Sequence, residues 1–231
     1  SLTYKRGRGS FLSRNRARIA YPDGETEEIF ADYFLIATGS TPRKIPNIRI
    51  DQERILDSDG VLNLKSFPEH LVIIGAGIVG CEYAAIFSNF DQTKVYLVDH
   101  QDRIIPFEDE DLSEFVSHRF RLNGIEIFHS ARVRTIDSYE DHLEVILDFG
   151  DGRAQVLEAD AALLSIGRVP NLAGLRLDKA GVETDDAGFL TADENCRVKD
   201  NIYAAGDVLK HPALVNIAEM EGRYAVKHMF G

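Results

Sequence analysis

A chain of 231 residues is long enough for one large or two modest domains with hydrophobic cores. Its 44% hydrophobic and 28% charged residues are typical of a globular protein, and no apolar run approaches the roughly 18 to 20 residues that span a bilayer. The net charge of -12 argues against a nucleic-acid partner, because phosphate groups are bound mainly through Lys and Arg. We therefore expect neither nucleic acid nor a membrane as a partner.

The chain begins in a region for which strands are predicted. In chain order, these strands cover 11–21, 25–30 and 32–36. The turn Pro22-Asp23-Gly24 predicts that the first two form a hairpin. Residues 44–68 contain Pro46 and Pro68 and show no periodic pattern, so we expect a linker there.

Alternation of strand and helix begins at Leu71. The apolar run Leu71-Val72-Ile73-Ile74 is typical of a strand buried on both faces of a parallel sheet. Further strands are predicted over 95–98, 125–128, 161–166 and 201–205, with an antiparallel meander over 131–138, 143–149 and 154–159. Helices are predicted from Val79, Tyr83, Phe87 and Phe90, from Leu112, Phe115, Val116 and Phe120, and over about 214–230. This order predicts an α/β fold, a Rossmann-like three-layer domain with a meander.

A glycine-rich motif lies between the first buried strand and its helix. Gly75 permits a tight turn, Gly77 leaves room for a pyrophosphate, and Gly80 lets the helix lie close to the sheet. The free amides at the helix N-terminus would then bind the diphosphate of a nicotinamide dinucleotide. A glycine-rich turn that binds nothing is the alternative. The predicted dinucleotide-binding residues are Gly75, Ala76, Gly77, Ile78, Val79 and Gly80.

An acidic residue closes the second strand. Asp99 follows Gly80 at about the separation of roughly 20 residues that this fingerprint requires. Its carboxylate could accept hydrogen bonds from the adenosine ribose and would repel a 2′-phosphate, which favours NAD over NADP. The nearby Arg103 weakens that preference, because a guanidinium binds phosphate well. A surface acid at a strand end is the alternative.

Cysteine and histidine usage predicts neither a disulfide nor a metal site. Cys81 and Cys196 are far apart and form no CxxC or CxxxxC pair, and the seven histidines show no metal-ligand spacing. We expect a reducing, cytoplasmic compartment. Cys81 is predicted to be a small packing residue and Cys196 an ordinary thiol.

Four patterns together are similar to one known family. They are Ala37-Thr38-Gly39, the fingerprint followed by Glu82, Gly167-Arg168-Val169-Pro170-Asn171, and Ile202-Tyr203-Ala204-Ala205-Gly206-Asp207. In this order and spacing, the chain resembles the flavin-dependent pyridine nucleotide–disulfide oxidoreductases over nearly its whole length. The resemblance implies that a hydride passes between NAD(P)H and FAD, with the cofactors supplying the chemistry.

The resemblance also implies roles for single residues. Thr38 and Gly39 would lie along the adenosine end of FAD, and Asp207 would bind its ribityl chain. For the NAD site, the residues concerned are Glu82, Val133, Gly167 and Arg168. Glu82 would orient the nicotinamide as the one catalytic candidate. Gly167 would line the NAD site by its backbone, Val133 would line it on the adenine side, and Arg168 would brace the lobes. An exposed helix acid at Glu82 and a turn-forming Asp207 are the alternatives.

The domain boundaries follow from the resemblance. We expect FAD-domain segments at both ends, over 1–43 and 167–231, the linker over 44–68, and the NAD(P)-binding domain over 69–166. The family's first GxGxxG, its redox-active CxxxxC and its C-terminal dimerisation domain are not in this sequence. We therefore expect a fragment of a larger, homodimeric enzyme that is inactive alone.

The branch of the family is open at this point. Residues 80–87 with Asp99 resemble soluble pyridine nucleotide transhydrogenases, whereas 168–171 and the tail 212–222 resemble dihydrolipoyl dehydrogenases. An NADH oxidase-type flavin reductase and a non-catalytic NAD-sensing module are the alternatives.

Overall fold

The computed structural model describes residues 2–210 and 213–231. The chain forms two compact units, one of Ser1–Thr41 with Val169–Gly231 and one of Pro42–Arg168. His211 and Pro212, the latter the first residue of the tail motif, lie outside the described residues. No helix in the part that the structure describes is long and apolar enough to cross a membrane.

The first unit begins with an antiparallel three-stranded sheet. Its strands are β1 (Arg8–Ser13), β2 (Arg16–Ala20) and β3 (Thr26–Phe30). The predicted single strand over 11–21 is wrong, because Ser13 pairs with Arg16 across a tight turn. The predicted hairpin around Pro22–Gly24 is confirmed by the β2–β3 pairing. Two short strands follow, β4 (Phe34–Ile36) and β5 (Ser40–Pro42).

The second unit contains the predicted alternation of strands and helices. In chain order its elements are β6 (Ile55–Asp57), β7 (His70–Ile74), α1 (Ile78–Asn89), β8 (Lys94–Val98), α2 (Glu110–Leu122), β9 (Glu126–Phe128), β10 (Ala131–Ser138), β11 (Leu143–Phe149), β12 (Ala154–Ala159) and β13 (Ala161–Leu164). Five strands form a parallel sheet in the order β6-β13-β7-β8-β9. The other three, β10 to β12, form the predicted antiparallel meander.

The three layers follow from the alternation of side chains along β7. Leu71 and Ile73 face one side, where they pack in a cluster with Phe87 of α1 and Phe120 of α2. Their neighbours on β7 face the other side and pack against Leu147 and other apolar side chains of the meander. The predicted three-layer α/β fold is therefore confirmed.

The predicted linker is partly regular structure. Within 44–68, β6 is the edge strand of the parallel sheet and Leu56 is fully buried. A 3₁₀ turn, Gly60–Asn63, then buries Val61. β6 has only three residues and is too short to show an alternating pattern. The linker was predicted because the segment contains Pro46 and Pro68.

The buried faces of both helices agree only in part with those predicted. On α1 the buried residues are Gly80, Cys81, Ala84 and Phe87, whereas Phe90 is 55% exposed. On α2 they are Ser113, Ser117 and Phe120, whereas Phe115 is 64% exposed. Small side chains allow α1 to lie close to the sheet. On α2, the buried Ser113 satisfies its hydroxyl by donating to the Ile104 carbonyl at 2.6 Å.

The chain returns to the first unit through β14 (Arg168–Pro170). The later elements are β15 (Arg197–Lys199), β16 (Ile202–Ala204) and α3 (Val215–Phe230). β16 pairs in parallel with β4 and antiparallel with β15. This pairing places two segments that are distant in sequence at one edge of a small sheet.

Candidate functional site

The turn after β7 requires glycine at two positions for packing. Gly75 has φ +102°, and a Cβ there would lie 2.5 Å from the Ser165 carbonyl oxygen. A Cβ at Gly80 would overlap the Gly75 carbonyl oxygen and lie 2.7 Å from Ser165 Oγ. The Ser165 hydroxyl also donates to the Gly75 carbonyl at 2.8 Å. The turn is therefore held tightly between α1 and the end of β13.

The third glycine of the turn faces open space. A Cβ at Gly77 would meet no atom within 4 Å, and Gly77 is the N-cap of α1. The first N–H groups of a helix have no acceptor within the helix, and the helix dipole makes this end favourable for an anion. The next residue, Ile78, is 62% exposed. A diphosphate could therefore reach the backbone amides without displacing a side chain.

Asp99 lies directly after β8 and is only 8% exposed. Its Oδ2 accepts the Ala76 N–H at 2.5 Å, and its Oδ1 accepts the Gln101 N–H at 2.8 Å. The Nδ1 atom of His100 lies 3.1 Å from the same Oδ1. Asp99 therefore fixes the glycine-rich turn to the end of β8, a role that the sequence did not predict.

A cavity of about 370 Å³ opens beside this turn. Its lining includes Gly75, Asp99 and Val133, three of the predicted dinucleotide-binding residues. Ile45, from the predicted linker, also lines it and was missed by the sequence. The volume lies within the range of roughly 300 to 1,000 Å³ that is common for ligand pockets. Apolar side chains with one carboxylate suit an adenosine group.

His100 and Arg132 also line this cavity and were not predicted. Both are exposed. The only signal that could have found them is their position next to Asp99 and Val133 in the sequence. Arg103, which was predicted to lie near the phosphate, donates to the Pro106 carbonyl at 2.9 Å and lines a separate cavity.

Two further predicted residues lie in the second unit but are not among those that line this cavity. Glu82 is exposed on α1, four residues after Ile78 and on the same side of the helix. Gly167 has φ +99° and accepts the Arg43 N–H at 2.9 Å. Next to it, Arg168 donates to Ser58 Oγ at 3.0 Å, which is a contact within the second unit.

The predicted FAD residues meet in the first unit. β4 and β16 are parallel neighbours, with Ile36 beside Ala204, so the segments after both strands lie at the same edge. The first of these contains Thr38 and Gly39, and the second contains Asp207. Ser40, which the sequence did not single out, donates its hydroxyl to Asp207 Oδ2 at 2.6 Å. The structure therefore brings Thr38, Gly39 and Asp207 to one place.

Neither cysteine is activated as a nucleophile. Burial raises the pKa of the Cys81 thiol to about 12, with a further contribution from the charge of Asp99. Its Sγ lies 3.4 Å from the Ala76 carbonyl oxygen. Burial also raises the pKa of Cys196, and both cysteines are free. Among the described residues, no group of His, Cys, Asp and Glu is arranged to hold a metal ion.

The family described as pyridine nucleotide-disulphide oxidoreductase matches residues 2–222. The chain belongs to this family. Members of the family depend on FAD and NAD(P), and they are enzymes. The match confirms the resemblance drawn from the four motifs.

One relative and two solved structures show the same relationship. The chain is 37% identical over 224 residues to the soluble pyridine nucleotide transhydrogenase of Yersinia enterocolitica, covering 96% of the chain and 47% of that protein. The crystal structure of LpdA from Mycobacterium tuberculosis is 33% identical with a TM-score of 0.87, covering 96% of this chain and 49% of that one. The HOCl-induced flavoprotein disulfide reductase RclA from Escherichia coli is 29% identical with a TM-score of 0.85, covering 97% and 50%. The chain therefore spans about half the length of the relatives it matches.

Proposed function

We propose that this chain is the NAD(P)-binding portion of a flavoprotein oxidoreductase that transfers a hydride between NAD(P)H and FAD. The observation that carries the proposal is the open helix N-terminus at Gly77 beside the 370 Å³ cavity. The amides of Gly77, Ile78 and Val79 would bind the diphosphate, and Asp99 and Val133 would contact the adenosine. In this arrangement the charged diphosphate meets N–H donors, and the apolar adenine base meets apolar side chains.

The catalytic contribution of the chain would be positional. When bound, the nicotinamide and the flavin supply the hydride chemistry, and the protein holds the two rings at reacting distance. Glu82, on the exposed side of α1 near Ile78, would orient the nicotinamide, and Gly167 would line that end by its backbone. Neither residue needs to accept a proton in this step.

The FAD residues would be Thr38, Gly39 and Asp207. Support comes from their convergence at one sheet edge, where the Ser40 hydroxyl orients the Asp207 carboxylate. A carboxylate held in this way can accept hydrogen bonds from hydroxyl groups such as those of a ribityl chain. In this proposal, residues 1–43 and 167–231 belong to the FAD domain, and residues 69–166 form the NAD(P)-binding domain.

For the whole protein, we propose a transhydrogenase-like activity between pyridine nucleotides. The 37% identity to transhydrogenases supports it. A disulfide reductase of the dihydrolipoyl dehydrogenase type is the second candidate, supported by the similarity to LpdA and RclA. The sequence of the full-length protein between its first nucleotide fingerprint and this chain distinguishes them, because only a disulfide reductase needs a CxxxxC there. A cytoplasmic homodimer belongs to the same proposal.

The Asp99→Ala variant tests the NAD site in the isolated chain. We expect wild-type chain to bind NADH saturably, and the variant to bind it at least about tenfold more weakly, because the turn loses its brace and the ribose loses an acceptor. The free energy of unfolding should also fall by about 1–3 kcal/mol, since the Ala76 N–H loses its acceptor. Calorimetric titration and thermal melting measure both effects.

Asp102→Ala is the matched control, because Asp102 is an exposed acid in the same loop that does not line the 370 Å³ cavity. It should bind NADH like the wild type. Wild-type chain that shows no saturable NADH binding would refute the proposed NAD site.

A further inference from the structure

Arg132 is an arginine without a charge partner beside the candidate nucleotide cavity. It lies on β10, it is exposed, and it makes no ion pair with any residue that the structure describes. Its cross-strand neighbour is Asp148. That carboxylate is already bound by Arg134, whose Nε donates to it at 2.8 Å. Arg132 is therefore available for an anion outside the chain.

The other arginine near the site is already engaged. Arg103 donates to the Pro106 carbonyl and lines a cavity that it shares with His118, Arg121 and several acidic side chains. Arg103 is therefore not among the residues that line the adenosine cavity. Any positive charge that a ligand meets there comes from Arg132 and, when protonated, from His100.

The negative charge of Asp99 is partly offset in this structure. Two backbone N–H groups donate to its two oxygens, and His100 Nδ1 lies 3.1 Å from Oδ1. A carboxylate with three such neighbours repels an approaching phosphate less than a free one does. The cavity that contains Asp99 is therefore not closed to a second anionic group.

We propose that Arg132 is a specificity-determining residue that binds the 2′-phosphate of NADPH, so that the site accepts NADPH as well as NADH. The inference rests on the proposed NAD(P) site. The guanidinium offers paired N–H donors that match phosphate oxygens, and such charge-assisted hydrogen bonds are among the strongest in proteins. The 2′-phosphate is the only phosphate that distinguishes the two nucleotides.

Two nucleotide fragments test this in the 231-residue chain by calorimetric titration. Adenosine 2′,5′-bisphosphate and adenosine 5′-monophosphate differ only in the 2′-phosphate, so their ratio of Kd values isolates that group. Arg132→Ala should raise the Kd of the bisphosphate at least about tenfold and change the Kd of the monophosphate less than about twofold. Arg132→Lys should restore part of the difference. The control Arg119→Ala removes an exposed arginine of α2, in the same unit, that does not line the cavity, and it should leave the ratio unchanged.

The outcomes separate the two proposals. Equal weakening of both fragments by Arg132→Ala, or no change in either, would overturn the role of Arg132. The role of Arg132 would also be overturned if the wild-type chain bound NADH but bound adenosine 5′-monophosphate more tightly than the bisphosphate. Wild-type chain that binds neither NADH nor NADPH would overturn the NAD(P) site and this inference with it. Thermal melting shows whether each variant is folded. If Arg132→Ala does not fold, the Arg132→Lys variant still tests the role of the guanidinium.

Discussion

Gly77→Val should weaken NADH binding at least about 100-fold while leaving the chain folded. A valine side chain at this position would occupy the open space through which the diphosphate reaches the helix N-terminus, and several charge-assisted hydrogen bonds would be lost together. The backbone tolerates the change, because Gly77 has φ -75° and ψ -170°, a region that valine adopts readily. Calorimetric titration with NADH measures the loss.

Gly150→Val is the matched control for this effect. Gly150 lies in the same unit, has no atom within 4 Å of its potential Cβ, and does not have a positive φ. Its replacement should leave NADH affinity and thermal stability close to those of the wild type. If Gly77→Val bound NADH as tightly as this control, the diphosphate would not lie at the turn.

Gly80→Ala should have the largest effect on stability. A single methyl group there would overlap the Gly75 carbonyl oxygen, which is backbone and cannot rotate away, and would crowd Ser165 Oγ. Overpacking of this kind costs about 3 kcal/mol and displaces α1 from the sheet. We expect a large fall in the midpoint of thermal unfolding and a loss of NADH binding.

Gly77→Ala separates packing from nucleotide contact. Both substitutions add one methyl group to the same turn, but a methyl at Gly77 meets no protein atom within 4 Å. The Gly77→Ala variant should therefore have a midpoint of thermal unfolding close to that of the wild type. If Gly80→Ala also melted like the wild type, the close approach of α1 to the turn would be wrong.

Much of the second unit could be predicted from sequence because its signals are local. The run Leu71–Ile74 and the glycine-rich turn are contiguous, so their structure follows from a few neighbouring residues. The meander was predicted from alternation over 131–159 in the same way. By contrast, β6 was missed because its three residues are recognised only by their parallel pairing with β13.

The buried faces of the helices were predicted only in part, for a related reason. The sequence marks large apolar side chains, so Phe115 was expected to be buried. Ser113 and Ser117 are buried instead, and Ser113 donates its hydroxyl to the Ile104 carbonyl. Which face of a helix is buried depends on the distance to its neighbour, and that distance is a tertiary property.

The sequence singled out the candidate-site residues that belong to motifs. It missed the residues that distant segments bring together. Asp99 and the glycines were found from their spacing, and Val133 from the family resemblance. Ile45 and Arg132 reach the cavity from separate segments, and Ser40 meets Asp207 only through the pairing of β4 with β16. The structural role of Asp99 depends on the register of β7 beside β8, which no local pattern specifies.

A crystal structure of the chain grown with NADH would show whether the dinucleotide binds at the glycine-rich turn. We expect the diphosphate to lie within hydrogen-bond distance of the N–H groups at the start of α1, with the adenosine in the cavity between Asp99 and Val133. A dinucleotide bound elsewhere on the chain, or a crystal with NADH present and this cavity empty, would contradict it.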